Sequence, residues 1–100
     1  YTGEDTLSLH DALPIYNSLY LEGLAYYQKK DFGKALLAFD RILKKYPQSN
    51  KVPAAHLAKG QVYSTLQMSE FAKPHLQFVI KKYPLSPEAF RAREELKIIK

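Results

Sequence analysis

The chain repeats itself at an interval of 37 residues. The tetrapeptide Lys-Lys-Tyr-Pro stands at residues 44–47 and again at 81–84, and Ser49 and Ser86 follow the two copies at the same distance. Further positions share this interval: Gly23 with Gly60, Tyr26 with Tyr63, Ala35 with Ala72, Ile42 with Val79, and Leu43 with Ile80. A fixed period of roughly 20 to 50 residues is typical of repeat proteins, which stack similar units and present extended binding surfaces.

The charge of the chain is positive and unevenly distributed. The whole chain carries +5, but residues 1–15 hold three acidic and no basic residues, which leaves 15 basic against 7 acidic residues, or +8, in residues 16–100. A basic surface favours acidic partners in general. The basic residues are spread along the chain, with no arginine-rich tract and no glycine-aromatic stacking motif. This pattern indicates solvated helix faces and argues against nucleic-acid binding.

Several classes of site are excluded by composition. The chain has no cysteine, so it can form neither disulfides nor thiolate metal sites. No run of about eighteen apolar residues is present, so we predict no membrane insertion. The printed sequence shows no signal peptide.

Residues 1–15 differ from the rest of the chain. The string TLSLHDALPI at residues 6–15 resembles the translation of a sequencing-library adapter, and it has no counterpart in the repeat. The alternative is an ordinary N-terminal helix or linker that packs through its leucines and Ile15. We expect a non-native or disordered leader over residues 1–15 and a repeat domain over residues 16–100.

The first repeat is predicted to be a pair of helices. Apolar residues recur at spacings of three and four from Tyr16 to Tyr27, which indicates an amphipathic helix. Residues 29–33 interrupt it, and a second helix follows with Ala35, Phe39 and Ile42 on one face. Pro47 ends this helix, because the residue before a proline is pushed out of helical geometry. The first repeat therefore spans about residues 16–47.

The second repeat follows the same plan over about residues 50–84. Ser49 or Asn50 is expected to cap its first helix and Ser69 its second, and Pro74 is expected to bend the start of that second helix. A fifth helix, over about residues 87–99, begins with Ser86 as N-cap and Pro87 in the first turn. Its one apolar stripe and charged outer face are typical of a terminal capping helix.

Gly23 and Gly60 stand in the middle of predicted helices, where glycine costs about 1 kcal/mol relative to alanine. Two such costs at equivalent positions predict that the second helix of each repeat approaches too closely for a side chain. Ala35 and Ala72 are the expected small partners on the facing helices. We therefore predict that these residues form the core.

A small residue, an aromatic residue, alanine, a bulky apolar residue and proline, in this order on paired helices, resemble the tetratricopeptide repeat. The matching residues are Gly23, Tyr26, Ala35, Phe39 and Pro47, and again Gly60, Tyr63, Ala72, Leu76 and Pro84. The resemblance implies an all-α solenoid of antiparallel helix pairs, with about two repeats and a capping helix. It also implies a protein-binding rather than a catalytic role.

The long repeat interval and the motif that closes each repeat make the resemblance more specific. The usual period of the family is 34 residues, whereas this chain runs three residues longer. With Tyr-Pro-x-Ser closing each repeat, the chain resembles the C-terminal domain of the periplasmic Tol-Pal system and cell-division coordinator proteins (the YbgF/CpoB type). BamD-like outer-membrane assembly lipoproteins share these closures and are the alternative.

The resemblance implies a concave groove lined by the first helix of each repeat. The implied protein-binding residues are Asn17, Tyr20, Leu24, Tyr27, Gln28, Ala54, Leu57, Gln61, Ser64 and Thr65. Tyr20 and Leu24 occupy places where chaperone-type repeats clamp a C-terminal carboxylate, which argues against a chaperone cofactor. The alternative is that the tyrosines of the first helix pack against a further repeat. Both interpretations stay open at this point.

The histidines and serines do not form a recognisable active site. His10 lies in the atypical leader, His56 takes the place of apolar Leu19 and should be partly buried, and His75 corresponds to Ala38 on an outer helix. With no cysteine and no carboxylate at ligand spacing, we predict no metal site. The serines have no base near them, and the chain has no glycine-rich phosphate loop. We expect no cofactor and no enzymatic activity.

The resemblance thus predicts a non-catalytic protein-interaction module. Within the Tol-Pal group it implies a periplasmic location and a role in coordinating outer-membrane constriction with peptidoglycan synthesis. The implied partners are a TolA-type protein and the peptidoglycan synthase machinery. The isolated chain is expected to be monomeric. A basic surface that binds acidic polymers is a further, weaker interpretation.

Overall fold

The computed structural model describes residues 15–99, which form five helices. They are α1 (Ile15–Gln28), α2 (Phe32–Lys45), α3 (Val52–Thr65), α4 (Ser69–Lys82) and α5 (Pro87–Ile98). No strand occurs among these residues. The all-α, helix-pair fold predicted from the sequence is confirmed. No helix in this range has the length and apolar character that crossing a bilayer requires.

The interval of 37 residues is reproduced by the helices. α1 and α3 begin at Ile15 and Val52, α2 and α4 begin at Phe32 and Ser69, and all four helices have 14 residues. The repeat seen in the sequence therefore sets the start and the end of every paired helix.

The turns inside the two pairs are also equivalent. Lys30 and Gln67 adopt positive φ values of 65° and 60°. After each, the next backbone amide donates to the carbonyl five residues earlier, from Asp31 to Tyr26 and from Met68 to Tyr63, both at 2.8 Å. This is the Schellman ending of a helix, in which glycine usually occupies the left-handed position.

The chain divides into two compact units at Lys51 and Val52. In the described part of unit 1 (residues 15–51), α1 packs against α2 through Gly23. A methyl group at Gly23 would lie 2.5 Å from Cε1 of the fully buried Phe39. The close approach predicted from the mid-helix glycine is confirmed. The side chain that fills the space opposite the glycine is Phe39 itself.

Unit 2 (residues 52–99) holds α3, α4 and α5. Gly60 faces Leu76, whose Cδ2 would lie 2.6 Å from an added methyl group. The core of this unit extends to α5 and comprises Leu57, Leu76, Val79, Ala89 and Ala92. The small side chains of Ala89 and Ala92 let α5 lie close to α4, since both are fully buried.

Charged side chains are exposed on α5, as predicted. Arg91, Glu94 and Lys97 are exposed, and Lys97 Nζ lies 3.4 Å from Glu94 Oε2. Lys97 stands one interval after Gly60 and two after Gly23. A long charged side chain therefore occupies the position that is glycine in α1 and α3.

One predicted N-cap is confirmed and another is wrong. Ser86 caps α5, since its Oγ accepts a hydrogen bond from the amide of Ala89 at 3.0 Å. The prediction for Ser69 was wrong: Met68 is the N-cap of α4, without a side-chain hydrogen bond, and Ser69 is the first helical residue. Ser49 Oγ accepts from the amide of Lys51 at 3.3 Å, just before α3.

Two further predictions concern Pro74 and the boundary of the N-terminal leader. Pro74 lies inside α4, which runs from Ser69 to Lys82. The predicted leader falls outside the described residues, except for Ile15, which is the first residue of α1.

Candidate protein-binding surface

The predicted groove residues of unit 1 share one face of α1. Asn17, Tyr20, Leu24 and Tyr27 follow at steps of three and four residues, which places them in one row along the helix. All four are half-buried, and Gln28 at the end of the helix is exposed. They therefore form a continuous strip, here called the α1 strip, that combines aromatic, aliphatic and amide groups.

The ring of Tyr20 is held between α2 and Lys51. Its centroid lies 5.9 Å from that of Phe39, and Lys51 Nζ lies 4.9 Å from the Tyr20 ring centre. A cation over an aromatic face contributes about 0.5–1 kcal/mol at an exposed site. These two contacts hold the Tyr20 ring in place, and the positive charge of Lys51 lies beside it.

The other tyrosines of α1 also contact rings that follow along the chain. Tyr27 meets Phe32 edge-on at 5.6 Å, and Tyr16 lies 5.9 Å from Tyr46. These contacts tie both ends of α1 to α2 and the segment that follows it. The bodies of the rings therefore belong to the packing of unit 1, while the half-buried Tyr20 and Tyr27 keep part of their surface accessible.

Asn17 brings an unsatisfied acceptor to this strip. Its Oδ1 is shielded from solvent and accepts no hydrogen bond from any residue between 15 and 99. Leaving a buried acceptor unsatisfied costs about 1–3 kcal/mol.

The predicted groove residues of unit 2 are distributed differently. Ala54 and Leu57 are only 7% exposed, and Leu57 belongs to the core that α3 and α4 form with α5. These two side chains therefore offer little surface to a ligand, contrary to the role that the sequence suggested. Gln61 and Ser64 are half-buried and Thr65 is exposed.

The equivalent faces of α1 and α3 thus differ in chemistry. Leu24 and Tyr27 in α1 correspond to Gln61 and Ser64 in α3. The accessible part is aromatic and aliphatic in unit 1 and polar in unit 2. Of the two faces, the α1 strip has the aromatic side chains that are enriched where protein partners bind.

A pair of histidines in unit 2 escaped the sequence analysis. His56 on α3 and His75 on α4 lie side by side, with their Nδ1 atoms 3.1 Å apart. Burial, together with the charges of His75 and Lys59, lowers the pKa of His56 to about 4. The half-burial of His56 was predicted correctly, whereas its contact with His75 was not.

This pair belongs to a row of rings between α3 and α4. The order of contact is Phe71, Tyr63, His75, His56, Phe78 and Tyr83, with centroid separations between 4.2 and 6.3 Å. The tightest contact joins His56 to Phe78. Within residues 15–99, no three histidine or acidic side chains are grouped so that they could hold a metal ion.

The first repeat matches a known protein family. The sequence profile of the tetratricopeptide repeat matches residues 16–49, the stretch that contains nearly all of α1 and the whole of α2. Residues 16–49 are a tetratricopeptide repeat. Since α3 and α4 have the same lengths and spacing as α1 and α2, unit 2 contains a helix pair of the same tetratricopeptide-like kind.

The repeat assignment bears on function in general terms. Tetratricopeptide repeats are typically protein-interaction modules without catalytic activity. A search of curated proteins returned no match to this chain.

Proposed function

We propose that this chain is a non-catalytic protein-binding module and that the α1 strip is its binding surface. The observation that carries the proposal is the row formed by Tyr20, Leu24 and Tyr27, in which both rings are fixed by contacts within unit 1. Rigid aromatic side chains supply contact area at a low cost in conformational entropy.

The strip favours a peptide segment with apolar side chains. Leu24 and the tyrosine rings provide apolar contacts, and Lys51 adds a positive charge next to Tyr20. A matching segment presents an apolar side chain and a nearby carboxylate. Protein partners are therefore the class that the surface supports.

The finer assignment rests on the sequence resemblance. We propose that the chain acts in the periplasm as the repeat domain of a Tol-Pal-associated protein that coordinates outer-membrane constriction with peptidoglycan synthesis. The partners would be a TolA-type protein and the peptidoglycan synthase machinery. The support is the 37-residue interval and the two Tyr-Pro-x-Ser closures. BamD-like lipoproteins share the closures, so a subunit of outer-membrane assembly is the alternative.

The binding proposal is tested by giving α1 the residues of α3. The double variant Leu24→Gln, Tyr27→Ser carries on α1 the side chains that stand at equivalent positions of α3. Binding to the periplasmic part of a TolA-type protein is measured by fluorescence anisotropy. We expect the Kd to rise at least about tenfold, as for loss of one or two interface anchors.

The matched control is Leu37→Ala, which removes an exposed apolar side chain from α2. It should leave the Kd unchanged. Equal loss of affinity in both variants would contradict the role of the α1 strip. Failure of the unmodified chain to bind the TolA-type protein, with retained binding to an assembly partner, would favour the alternative family.

A further inference from the structure

The contact between His56 and His75 joins the two helices of the repeat in unit 2. Their Nδ1 atoms lie 3.1 Å apart, within hydrogen-bond distance, and the ring centroids are 5.3 Å apart. A hydrogen bond between two imidazole nitrogens needs one N–H donor and one free lone pair. The contact therefore depends directly on how many protons the two rings carry.

The two rings can share one extra proton but not two. When both are neutral, one Nδ1–H donates to the other Nδ1. When one ring is protonated, its Nδ1–H still finds a lone pair on the partner. When both are protonated, two N–H groups face each other and two positive charges lie side by side.

The surroundings of the pair strengthen this effect. Phe78 covers His56 at 4.2 Å, and Tyr63 stacks nearly parallel to His75 at 5.8 Å, with 13° between the ring planes. Both histidines are half-buried, so a charge formed there is less well solvated than it would be in water.

The charged groups that act on His56 from within residues 15–99 are all of one sign. They are His75 from α4 and Lys59 from its own helix. Neither α4 nor α5 brings to His56 a carboxylate that would raise its pKa. The field at His56 therefore opposes the second proton rather than favouring it.

We propose that the His56–His75 contact is an acid-sensitive connection between α3 and α4, which holds the two helices together until both rings are protonated. Acid then turns the contact from a hydrogen bond into a repulsion and loosens unit 2. The proposal does not depend on which partner the chain binds.

Unit 1 shows which non-titrating side chains fit at the two positions. His56 and His75 correspond to Leu19 and Ala38 of unit 1, the same interval of 37 residues away. A leucine and an alanine at these positions are thus compatible with a helix pair of the same geometry. The double variant His56→Leu, His75→Ala is therefore expected to fold.

The experiment compares the thermal unfolding of the full chain and the double variant between pH 7 and pH 4.5. Carboxylates titrate in both proteins, so the difference between the two reports on the histidine pair. We expect the Tm of the unmodified chain to fall by roughly 5 °C more than that of the variant. Parallel curves for the two proteins would overturn the proposal.

A second measurement covers the case in which the variant does not fold. The imidazole ¹⁵N resonances of the unmodified chain are followed by NMR during an acid titration. We expect His56 and His75 to titrate in two coupled steps, with the second step coinciding with loss of native signals from α3 and α4. Independent titration of both rings near pH 6.5, with the native signals retained, would overturn the proposal as well.

Discussion

Gly23 lies against the ring of Phe39 so closely that an added methyl group would stand 2.5 Å from Cε1. Gly60 has the same relation to Leu76, at 2.6 Å from Cδ2. In both units the second helix brings a large buried side chain onto a bare stretch of the first helix. This contact explains why each repeat tolerates a glycine in the middle of a helix.

Gly23→Ala and Gly60→Ala are therefore expected to destabilise the chain. Alanine improves helix propensity by about 1 kcal/mol, but overpacking a tight contact costs about 1–3 kcal/mol. We expect a net loss in the free energy of unfolding, measured by urea titration. Gly33→Ala is the matched control, because an added methyl group meets nothing within 4 Å. Stabilisation by all three substitutions would contradict the close-packing explanation.

Gln67→Gly is expected to stabilise the chain. Gln67 has a φ of 60°, in the left-handed region where a side chain costs roughly 1–2 kcal/mol. Glycine removes this cost but adds freedom to the unfolded chain, so the net gain should be about 0.5–1 kcal/mol. The same replacement at Gln77, inside α4, should instead lose about 1 kcal/mol. Chemical denaturation separates the two signs, and a loss at position 67 would argue against the turn geometry.

Ser86→Ala and Ser69→Ala should differ in their effect. Ser86 Oγ accepts from the Ala89 amide and donates to the Tyr83 carbonyl at 2.7 Å, so its loss should cost about 1–2 kcal/mol. Ser69 is already inside α4 and does not cap it. Its replacement should change the free energy of unfolding by less than about 0.5 kcal/mol. Equal losses in the free energy of unfolding for the two variants would show that Ser69 caps α4 after all.

The pKa of His56 makes the stability of the chain depend on pH in a defined direction. Its folded-state pKa is about 4, below the value of 6.5 expected for an unfolded chain. The unfolded state therefore binds the proton first as acid is added. The contribution of His56 is fully present above pH 6.5 and is lost as the pH falls from 6.5 towards 4.

His75→Ala should raise the pKa of His56. The substitution removes both the charge of His75 and part of the ring packing that buries His56, and each of these now lowers that pKa. The shift is read from the ring resonances of His56 by NMR. A lower pKa in the variant would show that the hydrogen bond to His75 stabilises the protonated form more than burial opposes it.

The features that the sequence predicted well have a local signal or recur in both repeats. The helix pairs, the glycine contacts and the Ser86 cap each follow from a residue type with a local or equivalent-position signal. Met68 could have been identified as the cap of α4, because it is the equivalent of Asp31, the cap of α2. The lack of a capping side chain at Met68 made the neighbouring serine a misleading choice.

The features that could not be predicted from the sequence depend on contacts between helices. Ala54 and Leu57 lie on the same helix face as Gln61, and nothing local to α3 tells that Leu57 will be covered by the core with α5. Comparison with Leu19 and Ala38 shows that both histidine positions differ between the repeats. It does not show that the two rings lie side by side across α3 and α4, because that contact depends on how the two helices pack.

Lys97 has a consequence for how far such an array can be lengthened. In α1 and α3 the glycine at this position admits the bulky residue of the next helix, whereas on α5 a side chain of four methylenes and an ammonium stands there. A further helix added after α5 could not pack against it as closely as α2 packs against α1. An engineer who wishes to add modules to this chain would therefore begin by replacing one lysine with glycine.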